Sequence, residues 1–275
     1  MSKLFAAAAL LLVAVSLQAA TVTTEDEATY LVRGADRPDT PMAAWEADGR
    51  VASASGAAAA DAPRGAVRYA AKLVAWPTAT VKVLTFSKDA GGVLHPITDE
   101  KTVYVLEGGL QATVSGAAVE LSAGDLVSLP EGALRNAGDA RDAVVVAWTA
   151  GSLTPDATPA VVKGADVNTR EAGQLTIRRY EFPGNSVRVV GLGKGLKTNE
   201  ASAKTDSLIY LTGGPLQFTQ EGQEFTVTAG DFIREVAGAK HFWNVTEESG
   251  FVTTSALPAG AGPIDPDQAT DRPPR

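Results

Sequence analysis

When the 275-residue chain is slid along itself by 106 positions, Tyr104 to Arg135 falls on Tyr210 to His241 without a gap, and 11 of the 32 pairs are identical. The matches include Tyr104 with Tyr210, Gly108 with Gly214, Gln111 with Gln217, Gly116 with Gly222, and Ala123-Gly124-Asp125 with Ala229-Gly230-Asp231. Apolar periodicity alone would not also superpose glycines, which sit where the backbone needs positive φ or close approach. One unit is therefore used twice. Each copy reads as short β-branched runs (KLVAW, TVKVLTF, KTVYVL and DAVVVAW; then LTIRRYEF, SVRVVGL, DSLIYL and KHFWNV) separated by Gly, Pro, Asp and Asn. That spacing predicts an all-β sandwich or barrel, here two in tandem.

The repeats place barrel 1 at residues 72–150 and barrel 2 at 173–257. Residues 21–71, polar and then Ala-rich, read as a partly flexible extension in which Tyr30 to Val32 and Ala44 to Glu46 are suited to an edge strand or a turn. Residues 151–172 read as a linker, and the Pro-rich 258–275 as a disordered tail. The first 20 residues carry Lys3, an apolar run from Leu4 to Leu17, and Gln18-Ala19-Ala20, the pattern of a secretory signal peptide. A spanning helix needs about 20 apolar residues, so the run is short for an anchor. The expectation is a periplasmic or secreted protein with no membrane attachment after cleavage.

A net charge of −8 makes nucleic acid and anionic lipid poor partners, because both demand clustered Lys and Arg. With no cysteine there is no disulfide, thiolate nucleophile or lipoprotein anchor, and with two histidines there is no His-rich metal centre. Gly191, Gly193 and Gly195 have the wrong spacing for a dinucleotide loop and suit a tight strand connection.

The repeated YVLxGxLQ, hairpin glycine and AGDxxxxPxG resemble the cupin family of double-sheet, jelly-roll β-barrels, whose motifs are G(x)5HxH(x)3–4E(x)6G and G(x)5PxG(x)2H(x)3N. HPITDEKTVYVLEG, from His95 to Gly108, and GDLVSLPEGALRN, from Gly124 to Asn136, match them in the first repeat. In the second, DSLIYLTGG and GDFIREVAGAKHFWN, from Gly230 to Asn244, match, with Val236 in place of the proline. The resemblance implies a two-domain cupin whose metal set is largely lost. Family members hold a divalent transition metal with three His and one Glu; here His95 keeps the first place, while Ile97, Lys101 and Arg135 take the others. In the second repeat Glu200 or Ala201, Ser202 or Ala203, and Ser207 replace the first three, and only His241 remains. No metal or other cofactor is therefore expected. Glu100 and Asp206 stand one residue before the usual glutamate, and strand alternation points them away unless a bulge re-aims the chain.

The resemblance also implies that His95, Ile97 and Lys101 face the first barrel's interior and that Arg135 enters it from a facing strand. A His, a Lys and an Arg there would attract a carboxylate, phosphate or enolate, with His95 or Lys101 moving a proton and Arg135 fixing the negative charge. The alternative is that Lys101 and Arg135 reach the barrel mouth or pair with Glu100. In the second barrel His241, Ser207 and Asn199 or Glu200 give a neutral or mildly polar lining. Trp243 is nearby, suited either to stacking on a sugar or to packing. The leading expectation is recognition, or metal-independent transformation, of a small anionic or carbohydrate-like molecule in the first barrel, with His95, Lys101 and Arg135 as its contacts. A metal-dependent dioxygenase, decarboxylase or isomerase, using His95 or His241 with Glu100 or Asp206, is a second reading, and a structural or interaction module a third. Association into a homodimer is left open.

Overall fold

In the computed structural model the described residues are 25, 31–37, 40–41, 69–76, 79–88, 95–97, 102–129, 132–138, 141–150, 159–182, 185–202 and 204–256. The expected signal peptide and tail, Ala44 to Glu46, Glu100 and Lys101 lie outside them. The first half contributes β1 (Leu31–Val32), β2 (Thr40–Pro41), β3 (Tyr69–Trp76), β4 (Ala79–Phe86), β5 (His95–Ile97), β6 (Thr102–Glu107), β7 (Gly109–Val114), β8 (Ala117–Ser122), β9 (Leu126–Ser128), β10 (Gly132–Asn136) and β11 (Ala143–Ala150). The second contributes β12 (Ala160–Val162), β13 (Thr169–Ala172), β14 (Leu175–Phe182), β15 (Asn185–Leu192), β16 (Ala201–Ser202), β17 (Ser207–Leu211), β18 (Leu216–Gln220), β19 (Gln223–Val227), β20 (Phe232–Glu235), β21 (Lys240–Asn244) and β22 (Ser249–Ala256). The fold is all-β with jelly-roll barrels, as the repeat predicted. The spacing of 106 relates β3 to β14, β4 to β15 and β11 to β22 residue for residue.

Each half builds a seven-stranded and a four-stranded antiparallel sheet. The orders are β12-β9-β6-β11-β4-β3-β2 and β5-β10-β7-β8 in the first, and β1-β20-β17-β22-β15-β14-β13 and β16-β21-β18-β19 in the second. Leu84, Phe86, Val103, Val105, Leu110, Leu121 and Leu134 fill the space between the first pair of sheets. Val190, Ile209, Leu211, Leu216, Phe218, Ile233 and Trp243 fill the second. A third core lies between the halves, where Trp76, Tyr104 and Trp148 meet Tyr180, Leu208, Phe232 and Val252. The seven-stranded sheets therefore pack face to face with both faces covered. That is why β6 is buried at four successive residues from Thr102 to Val105 while β8, in an outer sheet, is mostly exposed.

Two-residue loops close the equivalent hairpins β7–β8 and β18–β19. Ser115-Gly116 and Glu221-Gly222 all have positive φ, the mirror-image turn whose twist suits adjoining strands. That conformation is what the repeated glycine supplies.

The segments expected to be an extension and a linker each cross to the other half's barrel. Strand β1 pairs with β20 and β12 with β9, so each seven-stranded sheet is edged by a strand from the opposite arm. A short 3-10 turn of the same sequence, Gly-Ala-Asp, follows in both, at Gly34–Asp36 and Gly164–Asp166. The aspartate of each repeated Ala-Gly-Asp holds the turn. Asp231 accepts from the Gly34 amide at 3.0 Å, from Arg33 Nη1 at 2.8 Å and from the Thr228 amide at 3.0 Å. Asp125 accepts from the Gly164 amide at 2.8 Å, from Lys163 Nζ at 2.8 Å and from the Ser122 amide at 2.9 Å. Contact is close enough that a Cβ on Gly34 would lie 2.1 Å from the Gly230 carbonyl oxygen, and one on Gly164 2.4 Å from that of Gly124. The duplicated unit thus begins with its arm, which the 106-residue spacing does not reveal because the arms are 130 residues apart.

Burial pushes the Asp125 carboxyl up, but the Lys163 ammonium and the Ser122 and Gly164 amides outweigh it and hold the group below its ordinary value of 3.8. A depressed carboxyl adds stability that is fully present above the unfolded value and is lost as pH falls through the folded one. Asp125→Ala is expected to cost about 2–3 kcal/mol at pH 7, mainly by stranding the buried Gly164 amide and the part-buried Ser122 amide. Asp125→Asn should approach wild type as the pH is lowered from 5 towards 2, read by denaturant unfolding at each pH.

Candidate functional site

Strand parity assigns each candidate to a face. In β17, Ile209 and Leu211 point into the second barrel and Leu208 to the interface between halves, so Ser207 points inward and is buried. Ser207 lies directly opposite Glu235 of β20, which shares the inward face of Ile233 and is also buried. His241 of β21 lies opposite Gln220 of β18, on the face that holds Phe218 and Trp243. The imidazole and the carboxylate meet: His241 Nε2 is 3.5 Å from Glu235 Oε1, with side-chain exposures of 12% and 9%. His241 Nδ1 sits 3.4 Å from the Ala239 carbonyl. Gln220 is tied at both ends, donating to the Arg234 carbonyl at 3.2 Å and accepting from the Val236 amide at 3.3 Å, and so fixes the strand that carries Glu235.

Glu235 was not among the residues expected in this barrel, where a neutral or mildly polar lining was expected. The signal lay in GDFIREVAG, where Ile233 and Glu235 share strand parity; the equivalent residue of the first repeat, Leu129, is apolar and masked it. Glu200 is exposed and lies 3.0 Å from exposed Lys240, and Asn199 is exposed too, so neither lines the interior. Asp206 is turned away: its Oδ2 accepts from Arg234 Nη2 at 2.7 Å and Nε at 3.2 Å, and its Oδ1 from the Ala237 amide at 2.9 Å. Trp243 is a wall of the barrel and not an open stacking platform, since its ring centroid lies 4.5 Å from Phe218 and 5.2 Å from Phe251.

The first barrel does not assemble as expected. In β10, Leu134 pairs with Ala112 and faces the core, whereas Arg135 pairs with Gln111, whose amide donates to Glu120 on the outer face. Arg135 is therefore outside the barrel. The ungapped alignment fails at this strand: Gln111 pairs with Arg135 but its counterpart Gln217 pairs with Asn244, so the spacing has grown from 106 to 109. An odd slip of three reverses every side chain. The residue that takes the place of His241 in the first barrel is Gly132, opposite Ile97 of β5. His95 occupies the position opposite inward-facing Leu134, and Lys101 lies outside the described residues.

Among the described residues no three His, Asp or Glu side chains converge. His241 and Glu235 offer two donors where a tightly held transition metal wants at least three, so this pair by itself does not fit such an ion.

Residues 77–150 match the family model of the EutQ-like cupin domain. That match covers the first repeat only. The chain superposes on Bacillus subtilis oxalate decarboxylase at 11% identity and a TM-score of 0.60, over 83% of this chain and 77% of the other. It also superposes on AerE from Microcystis aeruginosa (8%, 0.59, 71% and 96%) and on YlbA from E. coli (13%, 0.57, 72% and 86%). At such identities the likeness is one of fold. No curated protein matches the sequence.

Trp243→Ala is expected to destabilise the protein by about 3–5 kcal/mol through the cavity left between Phe218 and Phe251. Arg135→Ala on the outer face should stay within about 0.5 kcal/mol of wild type. Denaturant midpoints of the two variants check both values.

Proposed function

We propose that this protein is an exported cupin whose second barrel binds, or transforms by proton transfer without a metal, a small polar molecule of anionic or carbohydrate-like character. The observation that supports this reading is the Glu235–His241 pair, an acid and a base of different type 3.5 Å apart on the inward face of the barrel. Burying both groups costs free energy that packing alone does not repay, and such pairs cluster where a ligand is held or a proton is moved. Ser207, across the strand from Glu235, adds a hydroxyl that donates or accepts. His241 and Glu235 exchange a proton over the ligand, and Ser207 orients it. The pocket belongs to the second barrel, because the first has Leu129 and Gly132 in the corresponding places and carries Arg135 outside.

A divalent-metal cupin enzyme is the competing reading. What favours it is that His241 Nε2 and Glu235 Oε1 are close enough to touch one ion. Protein purified without chelators separates the two: at least half an equivalent of Mn, Fe, Ni, Cu or Zn by elemental analysis supports the metal enzyme, and less than a tenth counts against it.

The binding reading is tested with a panel of aldoses, polyols and small carboxylates, scored by thermal shift and ligand-observed NMR. Glu235→Gln and His241→Asn are each expected to weaken the best binder about tenfold, the loss of one charge-assisted contact. Arg135→Ala should leave it unchanged. Equal binding by all four proteins overturns the proposal.

A further inference from the structure

Both barrels keep a cation inside at the same place in the repeat. Lys82 shares the inward face of β4 with Leu84 and Phe86 and is 5% exposed. Arg188, 106 residues later, shares the inward face of β15 with Val190 and Leu192 and is half-buried. Both strands pair without a bulge on either side, so the parity is not in doubt. Each cation already makes a polar or electrostatic contact within the protein, which holds it in place. Arg188 lies opposite Thr253, whose hydroxyl is buried without a hydrogen-bond partner. One register step along the same face lie Ser186, Ser207 and Glu235. The second barrel therefore carries an inward-facing arginine and an open hydroxyl in one row of its interior, and the carboxylate of the Glu235–His241 pair in the next.

We infer that the ligand of the second barrel is a small hydroxycarboxylate, its carboxylate held by Arg188 and Thr253 and its hydroxyl by Glu235 and His241. This inference rests on the reading of the second barrel as the binding site and names its ligand class. A guanidinium and a hydroxyl present donors to a carboxylate, whereas a carboxylate and an imidazole match a hydroxyl that both donates and accepts. A molecule with one group at each end satisfies both sides at once; a plain carboxylate or a plain diol satisfies one. In the first barrel the cation remains as Lys82, but Leu129 and Gly132 stand in the places of the pair.

Because the chain has two histidines, the ring C–H signals of His241 can be assigned with a His95→Gln variant and followed alone. The probes are glycolate, acetate and ethylene glycol. Glycolate should shift the His241 signals with a Kd at least tenfold below that of acetate, and ethylene glycol should not shift them at the same concentration. Arg188→Gln should raise the glycolate Kd at least tenfold and Arg188→Lys by no more than about threefold, since the point charge survives but the fork does not. If Arg188→Gln melts too low to titrate, the glycolate-over-acetate preference of wild type and its loss in Glu235→Gln decide. Unchanged glycolate binding in Arg188→Gln overturns the anchor. Should glucose or glycerol move the His241 signals while glycolate does not, the hydroxycarboxylate is wrong and the second-barrel site stands. Should none of these probes move them, both fall.

Discussion

The packing of two seven-stranded sheets against each other governs the rest of the architecture. A sheet covered on both faces has no solvent side to which polar residues can retreat, so Trp148, Tyr180 and Phe232 fill the shared layer and the four-stranded sheets close the outsides. It also leaves edges, and an unpaired edge next to a large apolar face invites association. The exchanged arms answer that problem. β1 and β12 each add a strand across the joint, and Arg33 and Lys163 donate to the backbone carbonyls of Thr226 and Glu120 as well as to their aspartates. Tyr180, whose hydroxyl donates to the Gly124 carbonyl at 2.7 Å, ties the second half to the turn that grips its own arm. The halves are thus interlocked by chain crossing as much as by apolar contact.

The Ala-Gly-Asp motif shows how a repeat can be legible while its purpose is not. Its recurrence at 123–125 and 229–231 locates two equivalent barrels from sequence alone. What the aspartate does depends on a partner that is far away in the chain: Gly34 is 197 positions from Asp231, and Gly164 is 39 from Asp125. Nothing local to the motif distinguishes a carboxylate that binds a ligand from one that accepts two amides and a cation of a crossing arm. The arms looked like tether because their strands are two and three residues long, below what alternation of polar and apolar residues can signal.

The candidate site was partly legible for a different reason. His241 and Ser207 were assigned inward from the positions of the cupin motif that the sequence resembles, and both face the second core. Arg135 was misplaced because it sits three residues beyond Gly132, at the one strand where the two copies have slipped against each other. Matched glycines at 132 and 238 made the alignment look continuous through that strand, yet Gly132 lies within β10 whereas Gly238 precedes β21. Side-chain direction in a sheet follows pairing and not alignment, so a slip that leaves the sequence match intact can still turn a supposed pocket residue to solvent.

That slip also makes the two barrel interiors chemically different. It leaves a glycine where the second barrel has its imidazole, while the change from Leu129 to Glu235 brings a carboxylate to the strand beside Ser207. Relative to the cupin motif that the sequence resembles, which has its glutamate at the position of Ser207, the carboxylate stands one strand across the sheet, since Ser207 and Glu235 are directly opposed. Opposed residues on one face have Cβ atoms about 5 Å apart, so the charge is displaced by roughly one strand spacing towards His241. At that place it faces a single imidazole and not three. One carboxylate and one imidazole are two donors, fewer than a tightly held transition metal wants. Moving the acid back, as Ser207→Glu with Glu235→Ser, would put it where the cupin motif that the sequence resembles has its glutamate, without supplying the histidines that the motif also carries.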